Sequence, residues 1–587
     1  MAQEIIEIKS PLAQLFEDEI REHLDSSVQI GEEEDYSQAK LVRRIGLFES
    51  HIYPTGQFDE QGDYKFWFDI ITSRIDDEVK NIDIDTKNVE PFSTRKEDAL
   101  PMIVLNLKLS EHARDTGQSE EINDAVEEGS GWGNVVWKRT KNGYERVDLR
   151  NFYVINTAAK TLKDSAAIER HEFMQKDLRE KSGAWEYVDE VIKQCKSFTS
   201  SKGIEDTEKA TTTPRYEIYE RNGEVNLKDL KEYNGETVLT GDEDKYVLAK
   251  IVGAAKKSGR SVKIKYILFA GEIPEMPYEE YHRSRYKGKW MREGLYQLLM
   301  DCQVRANQIG NQIAKGLEWA SKAFFTSDDK LIVQNILTEM NSGDFIQGRN
   351  LRQVEVRMQG LDQLIVDWNR NLQLANDIAN SREVVQGITP PSGTPLGTTR
   401  LLNQNANKLF DFIREKFSIP LGRIFEKWVI PNLIKELKSE EILRLTGDAK
   451  MLERFMNHVV SDWYVKNLVK IGPHSEETAE LLKEKKMEEL KKRPQLLFKN
   501  IVEMWKGVKA RVQIDISGER LRQAENLQTY AEFIALEVDP LRRSAMIEEA
   551  MRLKGIDVAS LPKTEVQPVE AQAQQELPQR SRQPVVA

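Results

Sequence analysis

Between residues 282 and 437 the sequence sets out three long helical patterns separated by two interruptions of different kinds. Few folds accommodate that order. The first pattern places Leu295, Leu298, Leu299, Cys302, Ala306, Ile309, Ile313, Leu317 and Ala320 at three- and four-residue steps, the spacing that collects apolar side chains on one helix face. The second, over 361–385, repeats it through Leu364, Ile365, Trp368, Leu372, Ala375 and Ile378. A third is expected to start at Thr398 or Thr399, either of which can cap, and carries Leu401, Leu402, Leu409, Phe412, Ile413 and Phe417. Pro420 and Pro431 are expected to interrupt or kink it. The first interruption is a mixed insert, with Asp328 capping a short helix to Met340 and short alternating strands at 344–347 and 353–358. The second, 387–398, combines Gly387, Gly393 and Gly397 with Pro390, Pro391 and Pro395, so it is hinged yet restricted.

The segments before this stretch predict an α+β region. Ser10 caps a helix with Pro11 in its first turn, and 37–52 is a second amphipathic piece. Residues 64–71 are aromatic and apolar, a strand or a helix start. Residues 101–128 read as a helix turning acidic, and Gly129–Gly133 as a tight helix-to-strand turn. Asn142-Gly143 between two apolar runs marks a hairpin. Short strands are expected at 150–156, 215–220, 246–252 and 261–269, and a helix over 174–194. Beyond the central stretch come a charged helix at 477–492, a strand at 510–516 and a helical pair at 519–554. The Gln/Pro/Glu-rich end from about 561 is expected to be disordered.

Composition narrows the functional classes. With 85 Lys plus Arg against 97 Asp plus Glu the formal charge is −12, which disfavours a simple wrapper of nucleic acid, whose affinity comes from neutralising phosphates. It leaves room for a protein that lets nucleic acid slide past. Cys195 and Cys302 lie far apart with no C-x-x-C spacing, as in reduced chains with packed thiols. No secretory signal and no apolar run of membrane-spanning length is visible, so a soluble protein made in cytoplasm is expected.

Catalytic and metal motifs fail on their own terms. Gly129-Ser-Gly-Trp-Gly has its helix before and its strand after, the reverse of a phosphate loop. His171-Glu172 lacks the second histidine of a zinc helix, since Gln175 stands there. The run from Asn81 has Asn88 where a calcium loop needs its glycine and Thr94 where it needs glutamate. The seven histidines form no ligand spacing. Lys483, Lys485, Lys486, Lys491, Lys492 and Arg493 alternate with Glu484, Glu488 and Glu489, as on a solvated helix with neighbouring ion pairs; a nucleic-acid patch is the alternative. The polar face of the first long helix, with Arg305, Asn307, Gln308, Asn311, Gln312 and Lys315, is amide-rich. It fits a solvated or amide-bonded helix contact, or a surface touching phosphates weakly.

Element order carries more. The landmarks are the Gly129-x-Gly turn into strands ending at Asn151-Phe-Tyr-Val, the segment 170–178, the strand Glu217-Ile-Tyr-Glu-Arg, and Tyr281-His-Arg-Ser-Arg-Tyr-Lys-Gly leading into a helix with Gln303 and Asn307. An insert, a return helix, a flexible loop and the Thr398-Thr399-Arg400 helix start follow. In this order the chain resembles the portal proteins of tailed bacteriophages, in their short-tailed-phage-like branch, over residues 41–556.

The resemblance implies an α+β, mostly helical portal fold. Its regions would be a wing (1–284), a stem helix (285–320), a clip (321–360), a second stem helix (361–387), a tunnel loop (388–398), a wing return (399–518), crown-like helices (519–556) and a tail (557–587). It implies a dodecameric ring at one capsid vertex of the virion, through which double-stranded DNA passes without sequence specificity during packaging and ejection. Implied partners are the terminase large subunit, the head-tail adaptor and tail proteins, the major capsid protein and scaffold. It implies no catalysis, no cofactor and no metal. Thr389, Pro390, Pro391, Ser392, Gly393, Thr394 and Arg400 would meet the DNA at the tunnel loop. Arg305, Gln308, Asn311, Gln312 and Lys315 would face the channel, and Lys322, Lys330, Arg349, Arg352 and Arg357 would serve docking at the clip. The chain departs from larger relatives in lacking a long helical barrel after the crown. The competing reading is a cytosolic helical scaffold or adaptor binding other proteins through its amphipathic helices; an enzyme stands third.

Overall fold

The computed structural model describes residues 10–25, 28–30, 34–59, 62–82, 84, 89–93, 99–141, 143–196, 200–202, 208–210, 214–258, 261–321, 324–326, 352–354, 360–380, 396–436, 456–457, 460–461, 463–464, 476–492 and 511–514. The chain divides into residues 1–516 and 517–587, and all described residues belong to the first unit. That unit mixes helices and sheets, with helix predominating among the described residues. None of its described helices is long and apolar enough to cross a membrane. The expected helix over 328–340, the strand at 344–347, the crown-like helices and the tail lie outside the described residues.

Two antiparallel sheets organise the amino-terminal half. The larger has five strands in the order Ser261–Glu272, Tyr246–Ser258, Arg215–Asn226, Ala167–Met174 and Phe152–Val154. The smaller places Asn134–Thr140 between Tyr278–His282 and Gly143–Arg146. The Asn142-Gly143 hairpin forms as expected, with Thr140 opposite Gly143. A buried ionic cluster ties the sheets together. Lys138 of the smaller sheet reaches Glu169 at 2.6 Å and Glu220 at 3.0 Å in the larger, and Tyr278 donates to Glu169. Burial alone would raise the Glu220 carboxyl, but Lys138 and Lys250 override that and hold it at about 2. These charges answer one another, which is the condition under which a protein interior tolerates them.

The third long helix, Leu396–Ile424, supplies the spine of the largest core. Ile413, Phe417, Leu421 and Ile424 share one buried core with Val104, Leu105 and Leu109 of the helix Ala99–Asp115, and Phe417 meets Trp137 and Tyr281 edge-on. The helix begins at Leu396, so Thr398 and Thr399 lie inside it rather than capping it. It also runs through Pro420 without a break. The interruption comes at Phe425–Val429, a π turn in which Ile430 N–H bonds to Phe425 O. Pro431 follows directly; it has no N–H to give the preceding turn, and the widened turn absorbs that loss.

Three other expectations are corrected. Residues 174–194 are not one helix: the strand continues to Met174, and two short helices, Gln175–Glu180 and Val188–Gln194, follow with Tyr187 left-handed between them. Gly129 to Trp132 form the last turn of the helix Gln118–Trp132, and Gly133 alone, at φ 81, makes the turn into the strand. Within the polar stretch 197–213, which the sequence predicts as a loop, Ser200–Lys202 pairs antiparallel with Glu208–Ala210.

Gly133 also marks a close crossing of two backbones. A Cβ there would lie 2.4 Å from Gly294 N, and a Cβ on Gly294 would lie 2.3 Å from Gly131 O and Gly133 N. Two backbones touch with no side chain between them. Asn134, fully buried, secures the crossing by donating to Trp132 O and Arg292 O while accepting from Arg292 N–H.

Candidate functional site

The first and second long helices form an antiparallel hairpin. The first is Met300–Ser321, preceded by a short turn of helix at Leu295–Leu298; the second is Leu361–Ala379, ending at left-handed Asn380. Residues 285–294, expected within the first stem helix, are irregular, because Gly294 at the crossing sets where helix can begin. The second helix ends at Ala379, and residues 381–387 of the expected stem helix lie outside the described residues. Asn371 donates to Cys302 O at 2.9 Å and Arg305 pairs with Asp367 at 2.5 Å, so contacts climb one helix as they descend the other.

An amide ladder fixes the polar side of the first helix. Gln303, Asn307 and Asn311, at successive four-residue steps, accept from the N–H groups of Ile70, Phe68 and Phe66, each at 2.9 Å. Gln303 and Asn311 also donate to Phe68 O and Phe66 O. The match is geometric: four helical residues rise about 6.0 Å and two extended residues about 6.6 Å. An extended strand can therefore lie along a helix with every second N–H answered. Gly310 makes room for the Phe68 ring, which a Cβ would meet at 2.4 Å, and Trp368 closes over that ring edge-on from the second helix.

Burial falls away along the hairpin. Leu295, Leu299, Cys302, Ala306 and Ile309 are buried on the first helix and Ala375 and Ala379 on the second. Leu317 is 53% exposed, Ile365 44%, Val366 63%, Leu374 52% and Ile378 38%. The predicted stripe of the second helix is therefore only partly used within the chain. At the far end Phe324–Thr326 pairs antiparallel with Arg352–Val354. The insert thus contains the strand expected near 353, with 324–326 as its partner.

The predicted site residues divide accordingly. Asn311 spends both ends of its amide on Phe66, and Lys315 is paired with Asp59. Arg305 bonds the neighbouring helix. Gln308 and Gln312 are exposed and line a cleft of about 490 Å³ with Tyr53, Tyr64 and Trp67. Thr389, Pro390, Pro391, Ser392, Gly393 and Thr394 lie outside the described residues, as do Lys322, Lys330, Arg349 and Arg357. Arg400 falls within the third long helix and Arg352 within the insert strand; their side chains lie outside the described residues.

Sequence reasoning missed an acidic cleft of about 390 Å³ formed by Glu49, Asp124, Glu127, Glu128 and Asp148 around Arg146. These residues come from distant segments, so no local pattern announces them. Arg146 serves Glu128 at 2.6 Å, Asp124 at 3.3 Å and Glu121 at 3.6 Å. Burial pushes the Glu128 carboxyl up to about 7 against the pull of Arg146. A carboxyl raised on folding contributes stability that is fully present below its ordinary value of 4.5 and is lost as pH rises through about 7. Relative to Glu128→Gln, the wild-type chain is expected to lose about 3 kcal/mol between pH 4.5 and 8.5. Urea titrations of both proteins across that range check this, and a pH-independent difference would refute it.

Among the described residues no group of His, Cys, Asp and Glu is arranged to hold a metal ion. Compared with protein-family profiles the sequence matches none, and no curated protein matches it significantly.

Proposed function

We propose that this chain is the subunit of a closed ring resembling phage portals, acting as a conduit for double-stranded DNA and a platform for packaging and tail components. The observation that carries this reading is the exposed apolar side of the hairpin. Val366, Leu374 and Ile378 on the second helix, with Leu317 on the first, are large apolar side chains left exposed within the chain, as side chains at interaction sites are. A second copy rotated about an axis can cover it, and repetition of one such heterologous contact closes a ring. The element order supports the same reading: two helices flanking a strand-paired insert, followed by a long third helix that enters the main core. Dodecameric stoichiometry, terminase and adaptor docking, and the capsid vertex follow from the resemblance and are part of the proposal.

The competing scaffold or adaptor reading also uses apolar helix faces, but its interface need not close on itself. Native mass spectrometry of the purified chain distinguishes them. Rings with a central channel are expected from the wild type. Val366→Glu with Leu374→Glu should give monomers whose unfolding free energy stays within about 0.5 kcal/mol of wild type, since both side chains are already exposed. A wild-type chain that is monomeric at every concentration would sink the ring.

A further inference from the structure

We propose that the loop 283–292 is a binding site for the phosphate backbone of nucleic acid. The chain is acidic overall, yet here Arg283, Arg285, Lys287 and Lys289 occupy every second position and Arg292 follows. The loop is anchored rather than loose. Ser284 Oγ donates to Glu293 O across its neck, and Trp290, buried, gives its backbone N–H to Thr157 O and its indole N–H to Glu280. Arg283 is drawn inward by a two-pronged pair with Glu78 at 2.7 Å. The rest of the loop is therefore a pre-ordered frame, and binding does not have to order it.

Arg285, Lys287, Lys289 and Arg292 line a recess of about 230 Å³ in which Glu293, engaged by Lys287, is the one acidic side chain among the described residues. Arg285 is exposed and pairs with no carboxylate among the described residues. Arg292 points its terminal nitrogens at the carbonyls of Ser284 and Lys160, not at an acid. Positive charge also extends behind the recess: Lys416 donates to Arg283 O, and burial together with Arg292 and Arg283 lowers its affinity for a proton.

Nucleic acid suits this site better than an acidic protein segment. Among the recess side chains Met291 is apolar but buried, so an aromatic or aliphatic anchor, which dominates protein–protein recognition, has nothing to fill. Cations on a polar frame meet phosphates without reading bases. On a chain of net charge −12, binding elsewhere is opposed by repulsion. The inference holds for the chain by itself and does not depend on ring closure.

The test is fluorescence anisotropy of a labelled duplex of arbitrary sequence titrated with the full chain between about 50 and 200 mM KCl. Contacts from about four cations to phosphates give a log–log salt slope of about −3.6 for the wild type. The triple variant Arg285→Gln, Lys287→Gln, Lys289→Gln should bind at least about tenfold more weakly, its slope flattened by about 2.7. Lys483→Gln with Lys485→Gln on the charged helix should bind as wild type does. Circular dichroism melts of the triple variant report whether it remains folded. No duplex binding by the wild type at low salt, wild-type affinity and slope in the triple variant, or displacement of duplex by an equal charge of polyglutamate would each overturn the proposal.

Discussion

Gly294→Ala is expected to cost about 3 kcal/mol or more, a large share of the roughly 5–15 kcal/mol that keeps a domain folded. The new Cβ would sit 2.3 Å from Gly131 O and Gly133 N and 2.4 Å from Trp132 C. All three are backbone atoms, and Asn134 holds both segments by its side-chain hydrogen bonds. No rotamer change relieves such a contact; one chain has to move. Gly288→Ala is the matched comparison. Gly288 carries the less tolerant dihedral, φ 78, but an alanine methyl there would find nothing within 4 Å, so only the left-handed conformation is penalised, at about 1 kcal/mol. Urea unfolding followed by tryptophan fluorescence separates the two. Equal stability of Gly294→Ala and wild type would show that the crossing is looser than described.

Gln303→Leu is expected to be nearly as damaging for the opposite reason, since it fits but satisfies nothing. Gln303 is fully buried, accepts from Ile70 N–H and donates to Phe68 O at 2.6 Å. Leucine leaves that donor and that acceptor without partners, at about 3 kcal/mol in total. Gln308→Leu, further along on the exposed side, should stay within about 0.5 kcal/mol. Hydrogen exchange gives a second readout. The Ile70 amide should exchange far faster in Gln303→Leu while amides of the five-stranded sheet keep their protection; unchanged exchange at Ile70 would refute the ladder as its source of protection.

Elements are legible in the sequence where periodicity or turn chemistry is local. The stripe from Leu295 to Ile309, the Asn142-Gly143 hairpin and the amphipathic piece that forms the helix Gln38–Glu49 follow from side chains a few residues apart. What escapes is decided by contacts distant in sequence. Nothing near Gln303 says that its amide faces Ile70, 233 residues away. The amide-rich face suggests a solvated, helix-bonded or phosphate-touching surface, whereas Gln303, Asn307 and Asn311 bind the backbone of residues 66–70. Residues 174–194 carry a helical pattern, but pairing of Met174 with Arg215 extends the strand first. The start of the third helix is misplaced by the sequence pattern because threonine caps well and also tolerates a helix interior. The alternating cations from Arg283 to Lys289 stand in plain view, and their meaning emerges only once Trp290 is seen to pin the loop that displays them.

The amide ladder has one more consequence, for how the chain avoids harmful self-association. Residues 64–71 combine four aromatic side chains with two isoleucines, the composition of a segment that pairs readily with copies of itself. An extended segment invites such pairing through unanswered N–H groups along its edge. Here the N–H groups of Phe66, Phe68 and Ile70 are occupied by side chains of a helix, which offers no further strand to extend. Amides at positions 303, 307 and 311 thus act as a guard on an aggregation-prone run, at the same time as they hold it in place.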